Sequence, residues 1–330
     1  MIRGVYILVL CAAWLVHPGG GGPHGNESPG GLAYVSNELA GTVSVIDTAT
    51  DTLIRTIRVG GRPRGIEARG RELFVALSDT DREHRSAQDA IVVADPASGR
   101  VLRRYDAGSD PERFVLSPDG RRLYAANEDA GTATVTDVTA NRVLATLVVG
   151  VEPEGVAISP DGRWVYVTAE TSNTLSVIDT VRLKVVSSML VDPRPRDVVF
   201  APDGTRAYAT AEIGGSVAVI DAGRHRVIDT IELPSPAKPV GVAVSREGRL
   251  LYVANGHGNS VSVIEAASHR VVATIPTGKR PWGLALSSDG RRLYSANGVS
   301  GDVSVIDTAA RRELKRIPTG AGAWGVAIPH

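Results

Sequence analysis

Seven short loops recur along the chain and hold most of the residues able to bind or transform a ligand. They read Gly61-Arg62-Pro63-Arg64, Asp110-Pro111-Glu112-Arg113, Glu152-Pro153-Glu154, Pro193-Arg194-Pro195-Arg196, Ala237-Lys238-Pro239, Lys279-Arg280-Pro281-Trp282 and Gly322-Ala323-Trp324. Arg62, Arg64, Arg194, Arg196 and Arg280 carry guanidinium forks that match carboxylates, while Trp282 and Trp324 share one loop position and offer flat apolar surface. Together they describe a receptor for a planar anion. An acidic sector from units two to four lies beside them, joined by Glu128, Asp129 and Glu170 from neighbouring loops. Within it Glu128, Glu152 and Glu170, with His257, form a set that a divalent metal could join, the chemistry of a lactonase or lyase. The plainer reading is that these are solvated loop charges pairing with one another, each pair contributing about 0 to 1 kcal/mol.

Recognised catalytic spacings are missing: there is no H-E-x-x-H, G-x-S-x-G or P-loop run. The single cysteine, Cys11, precedes the domain, which excludes disulfides, thiolate metal sites, a Cys nucleophile and covalent c-type haem attachment from the mature chain. His225 and His269 fall in equivalent turns and are expected to be exposed. His257 and His84 are the histidines expected near the functional face, and His17 and His24 lie ahead of the domain.

These loops are positioned by a repeat. An acidic residue closes a Val-x-Val-Ile stretch or its equivalent at Asp47, Asp95, Asp137, Asp179, Asp221, Glu265 and Asp307, with gaps of 48, 42, 42, 42, 44 and 42 residues. A period in that range with strand-rich units marks a β-propeller. The fourth unit divides into strands Gly155–Ser159, Arg163–Thr168, Thr174–Ile178 and Lys184–Leu190, with the first turn set by Ser159-Pro160-Asp161-Gly162. A four-stranded meander then puts the seven basic, acidic and aromatic loops on one face. An aromatic column, Tyr34, Phe74, Tyr124, Tyr166, Tyr208, Tyr252 and Tyr294, marks the second strand. Its wider distance from the acidic column in unit two locates an eight-residue insertion within Ser78–Ala90, a charged loop suited to a protein partner. The acidic column itself is expected to be structural, each carboxylate accepting backbone N–H bonds in a turn.

The fold class is therefore all-β, a seven-bladed β-propeller of four-stranded antiparallel blades. The first unit begins at its second strand, Leu32–Ser36, and the chain finishes with Trp324–Ile328, a first strand lacking its successor. The C-terminal strand is expected to join the N-terminal blade and close the ring. With 36 basic and 36 acidic residues there is no global field to draw the protein to nucleic acid or anionic lipid. Ahead of the propeller, residues 1–16 read as a signal peptide, a basic start followed by an apolar run too short to span a bilayer. Residues 17–31 read as a flexible Gly/Pro-rich linker, so a periplasmic or secreted location is expected.

Leu-Tyr-Val-Ala-Asn, Val-Ser-Val-Ile-Asp-Thr and Pro-x-Gly-x-Ala sequences recur, as AYVSN at Ala33, WVYVTAE at Trp164 and LYVANG at Leu251. At these the chain resembles the YVTN-type β-propeller repeat family. RPRGI at Arg62, NEDAGT at Asn127, VGVEPEGVAISPDG at Val149, AEIGGSVAVID at Ala211, PVGVAV at Pro239 and NGVSGDVSVIDTA at Asn297 make it most similar to propellers associated with catabolism dependent on pyrroloquinoline quinone (PQQ). The resemblance implies an exported binding or interaction module accessory to PQQ-linked alcohol oxidation. Arg62, Arg64, Arg194, Arg196, Arg280, Trp282 and Trp324 would then receive PQQ, a planar tricarboxylate. Two alternatives stay open: the metal-dependent propeller enzyme above, and a haem or quinone carrier like the haem d1 domains, for which no ligand residue can be matched.

Overall fold

The computed structural model describes Met1, residues 31–79 and residues 89–329. The expected signal peptide, nearly all of the linker, and residues 80–88 of the insertion with His84 lie outside the described residues, so the partner-binding role of that loop does too. The described chain forms seven four-stranded antiparallel sheets and contains no helix.

Blade 4 shows the plan. Strand A, Pro153–Ile158, lies innermost, followed outwards by B, Trp164–Ala169, C, Thr174–Asp179, and D, Lys184–Leu190. The A–B turn closes as its residues dictate. Gly162 adopts φ 73°, its N–H donates to Ser159 O at 2.8 Å, and Asp161 accepts the Arg163 N–H at 3.0 Å. In the C–D turn Asp179 Oδ1 accepts the N–H groups of Val181 and Arg182 at 2.9 and 2.8 Å, as Asp47, Asp137 and Asp307 do in their own turns. The acidic column is thus a turn device.

Burial grades from the axis outwards. Strand B of every blade is buried on both faces because a neighbouring blade packs against each, whereas strand D is mostly exposed, alternating with covered residues in blades 4 and 6. The core accordingly consists of clusters shared between successive blades. One joins Tyr166, Leu175 and Val177 of blade 4 to Phe200, Ala207 and Ile220 of blade 5. The tyrosine column fills these seams, and Tyr294 spends its hydroxyl on Asp51 Oδ1 of blade 1, 2.8 Å away. His225 departs from expectation. It is half-buried, hydrogen-bonded through Nδ1 to the Tyr166 hydroxyl at 2.8 Å and set edge-on to Trp164, because its turn leans over the preceding blade. His269 is likewise half-buried and pairs with Asp229 of the preceding blade.

Strand A starts two residues before the sequence pattern suggests, and the reason bears on the site. In every blade the A–B register slips once, between the Pro position and the residue three further on, as at Pro153/Val156, Pro195/Val198 and Pro281/Leu284. A bulge at this point lets Pro153 pair with Ala169 and re-aims the two residues between.

Closure occurs as expected. Ala323–Ala327 is the innermost strand of the blade whose other members are Leu32–Asn37, Thr42–Asp47 and Thr52–Arg58. Ser36 Oγ accepts the Gly325 N–H at 2.9 Å and donates to Arg64 O at 2.6 Å, binding both chain ends to blade 2. Deleting residues 323–330 removes that strand and opens two sheet edges. The melting temperature is expected to fall by several degrees or more, since each kcal/mol corresponds to roughly 1–2 °C in a chain of this size. Differential scanning calorimetry of the truncated chain checks this.

Candidate functional site at the mouth of the propeller axis

Each strand A offers the axis one side chain at the middle position of Pro-x-Gly or its equivalent. Around the ring these are Trp324, Arg64, Glu112, Glu154, Arg196, Val240 and Trp282. All but Val240 line one pocket of about 380 Å³, together with Glu38, Glu128, Glu152, Glu170, Arg194 and Arg280. That volume suits a small ligand.

A second circle of residues comes from the B–C loops. The residue after strand B is Glu38, Ser78, Glu128, Glu170, Glu212, Gly256 or Gly298. In six blades its N–H donates to the carbonyl of the residue at the position before Pro, for example Glu128 to Asp110 at 3.1 Å and Glu212 to Arg194 at 2.8 Å. That carbonyl belongs to a backbone in the left-handed region at Asp110, Glu152, Arg194, Lys238, Arg280 and Gly322. Non-glycine residues held there carry strain of about 1–3 kcal/mol each, which a rigid surrounding structure must offset. The strain aims successive side chains inward.

Two guanidiniums sit inside carboxylate cages. Arg64 is ringed by Glu38 at 3.1 Å, Asp110 at 3.3 Å, Glu128 at 3.4 Å and the adjoining Glu112. Arg196 is ringed by Glu154, Glu170 and, at 3.1 Å, Glu212. At the rim Arg62 pairs with Glu38 and Asp110, Arg194 with Glu170 and Glu212, and Arg280 with Glu212. Trp282 lies against two of these cations, with Arg196 and Arg280 at 5.0 and 4.9 Å from its ring centre, and Trp324 is 6.0 Å from Trp282. Desolvation opposes the charge of Arg64 and Arg196, but the surrounding carboxylates outweigh it and hold both above the usual guanidinium range.

Within this set seven carboxylates, Glu38, Asp110, Glu112, Glu128, Glu154, Glu170 and Glu212, face five guanidiniums. The imbalance falls on two groups. Burial, reinforced by Asp110 against the pull of Arg64, lifts Glu128 to about 7; burial, reinforced by Glu170 against the pull of Arg196, lifts Glu154 to about 8. Both can therefore hold or release a proton near neutrality. Glu212 Oε2 and the Nε atoms of Arg194 and Arg196 are buried without an aligned hydrogen bond and face one another as ion pairs at 3.4 and 3.1 Å.

One residue further along strand A stands glycine in five blades, but Arg113 in blade 3 and Asp197 in blade 5. These two pair at 3.4 Å across blade 4, and Arg113 also lies 4.7 Å from the ring centre of Trp324. Asp197 accepts the N–H groups of Val198 and Val242 at 2.9 and 3.1 Å.

Of the seven residues expected to bind a planar anion, Arg64, Arg194, Arg196, Arg280, Trp282 and Trp324 line this mouth, whereas Arg62 is outside the lining and pairs with Glu38 and Asp110. The acidic sector comes from blades 1, 3, 4 and 5 rather than units two to four, because Glu38, after strand B of blade 1, pairs with Arg62 and Arg64 of blade 2, and Glu212 follows strand B of blade 5. Comparing the seven residues after strand B, four of them glutamate, reveals Glu38 and Glu212, and comparing the Pro-x-Gly positions reveals Glu112 and Glu154. Arg113 and Asp197 stand out as exceptions in a glycine column. Of the candidate metal set, Glu128, Glu152 and Glu170 line the mouth, while His257 is exposed and outside the lining. The tight triad Asp110, Glu112 and Glu128 is filled by the Arg64 guanidinium, so these residues do not fit a divalent ion. Nor do they fit haem, since the lining offers no His, Cys, Met or Tyr to iron.

Comparison with known proteins agrees with this architecture. A model of lactonases described as 7-bladed beta-propellers matches residues 192–320, and one of the cytochrome D1 heme domain matches residues 85–198. Both are propeller families. A seven-bladed beta-propeller protein of Mycobacterium tuberculosis, Rv1057, is 32% identical over 118 residues, 35% of this chain and 29% of that protein's length. Among solved structures, the periplasmic gluconolactonase PpgL of Pseudomonas aeruginosa superposes with TM-score 0.74 at 22% identity, covering 90% of this chain and 98% of that one. A putative 6-phosphogluconolactonase from Bacteroides fragilis gives 0.75 at 17%, covering 91% and 98%. Hydrazine synthase of Kuenenia stuttgartiensis gives 0.73 at 23%, covering 84% and 92%. At these identities the solved structures show the fold alone.

Two outcomes follow from the buried charges. Arg113→Ala strands the Asp197 carboxylate and is expected to cost about 3–5 kcal/mol, whereas the double replacement Arg113→Ala with Asp197→Ala should cost less than the single one. Urea unfolding of the three proteins measures this. Glu154 has a folded pKa of about 8, above its unfolded value, so the folded chain binds the extra proton. Its stabilising contribution is full below the unfolded pKa and is lost as pH rises through about 8. Melting temperature should therefore fall between pH 6 and 9 more steeply in the parent protein than in Glu154→Gln.

Proposed function

We propose that the mouth of the propeller opens a small polyhydroxylated lactone by general acid–base hydrolysis. The carrying observation is the pair of surplus carboxyls, Glu128 and Glu154, held near neutral pKa in a ligand-sized pocket. The lactonase match over residues 192–320 supports this reading, and the gluconolactonase and putative 6-phosphogluconolactonase among the structural neighbours are consistent with it.

In this scheme Glu128, ionised, takes a proton from water as the water oxygen bonds to the lactone carbonyl carbon. The oxyanion develops against the guanidiniums of Arg194 and Arg280, which are partly exposed at the rim. As the acyl C–O bond breaks, protonated Glu154 gives its proton to the ring oxygen, which leaves as a hydroxyl. Trp282 and Trp324 present flat surface to the C–H face of the ring. We place the activity outside the cytoplasm, as the leader suggests. A PQQ-accessory role is less well supported, because every guanidinium it would need already holds a carboxylate.

Titrimetric hydrolysis of glucono-1,5-lactone tests the reading. The rate should peak between about pH 7 and about 8, where Glu128 is ionised and Glu154 still protonated. Glu128→Gln and Glu154→Gln should each lose about 10²-fold or more, the usual scale of a general acid or base. Prior chelation should leave the rate unchanged. Turnover no faster than background, or turnover abolished by a chelator, would refute the mechanism.

A further inference from the structure

The lactone reading leaves open which charge the ligand carries, and the ion pairs at the mouth decide it. A phosphorylated sugar is ordinarily held by guanidinium or ammonium groups free to form bidentate bonds. None of the five guanidiniums of the paired set is free in that sense. Arg64 and Arg196 are caged on several sides and almost fully buried, and the rim arginines Arg62, Arg194 and Arg280 each sit on at least one carboxylate. Glu152 adds a further carboxylate at the rim, where it accepts from the Thr171 hydroxyl. A phosphate entering the pocket would meet a wall with more carboxylates than cations and would have to break existing pairs to find a partner.

We infer that the mouth selects uncharged lactones and rejects phosphorylated ones. This rests on the proposed site, although its electrostatics can be read without catalysis. Glu212 is the residue that enforces the selection. It is the only carboxylate among the described ion pairs that Arg280 contacts, and it also engages Arg194 and Arg196. Its replacement by glutamine keeps the shape, removes one negative charge and releases Arg280, whose side chain is a quarter exposed.

The test is calorimetric binding of three probes with one carbon skeleton and rising negative charge: gluconolactam, gluconate and 6-phosphogluconate. The parent protein should bind the lactam best and 6-phosphogluconate on the order of a hundredfold more weakly, the scale of like charges brought together at a partly desolvated site. Glu212→Gln should narrow that gap by about tenfold, with Glu38→Gln as a second variant acting at the opposite cage. Parallel assays use glucono-1,5-lactone and its 6-phosphate. Binding of 6-phosphogluconate as tight as that of the lactam overturns the inference whatever the enzyme turns over. The expected binding order without turnover of either lactone upholds the charge selection and overturns the lactonase reading. Failure of all three probes to bind removes the mouth as a sugar site, and the inference with it.

Discussion

Seven inner strands converge on one axis, and in five of them the spacing leaves no room for a side chain at the residue after the inward-pointing one, while blades 3 and 5 carry Arg113 and Asp197 there. A Cβ on Gly155 would stand 2.7 Å from Arg196 O of the next blade, and one on Gly283 2.5 Å from Trp324 O. Both are closer than real atoms approach, so glycine at this position is what lets the ring contract. Contraction has a second effect. The bulge beside this position turns the preceding side chain toward the axis, and six of the seven such side chains line a pocket of about 380 Å³. The composition of the mouth is therefore set by one residue per blade, on a frame that the other residues keep the same.

Crowding charged residues into that frame is costly, because taking ions out of water is repaid only when geometry is good and every partner is present. The cages around Arg64 and Arg196 meet the condition, since each guanidinium has carboxylates on several sides. A purely structural network would be expected to balance its charges. This one does not, and the excess is carried by two carboxyls that keep a proton near neutral pH rather than by a metal, whose place the Arg64 guanidinium fills. Arg113 and Asp197 add a further ion pair between the inner strands of blades 3 and 5, with Arg113 set against the ring of Trp324.

Much of this was legible in the sequence, and the boundary is informative. The repeat, the four strands per unit, the turn carboxylates and the C-terminal closure follow from periodicity and turn chemistry, which are local and survive without coordinates. Positions in the Pro-x-Gly loops could be assigned to one face for the same reason. Pairing could not. Whether Arg196 meets a ligand or Glu154 depends on distances between blades 42 residues apart in sequence, and Glu38 reaches Arg64 only because consecutive blades pack side by side. Reading each residue type down its column would have exposed Glu38 and Glu212, but not that they neutralise the arginines. His225 escaped for a similar reason. Its turn leans over Trp164 and Tyr166 of another blade, a contact that no single repeat contains.

The same imbalance bears on how such a site would turn over. Opening a neutral lactone creates a carboxylate, so the charge of the ligand changes from zero to negative inside a wall already rich in carboxylates. Interactions that tolerate the lactone then work against the product, and the site does not spend its attraction on holding what it has made. The guanidiniums at the rim have a different relation to the two. In the proposed reaction Arg194 and Arg280 would face negative charge as it develops on the carbonyl oxygen, and their existing pairs with Glu170 and Glu212 would reclaim them once the product carboxylate turned away. An arginine held by a carboxylate is thus a weaker permanent anion receptor but a reusable transient one. That distinction is why a ring of paired charges, which looks at first like surface decoration, is better suited to passing an anion out than to keeping one.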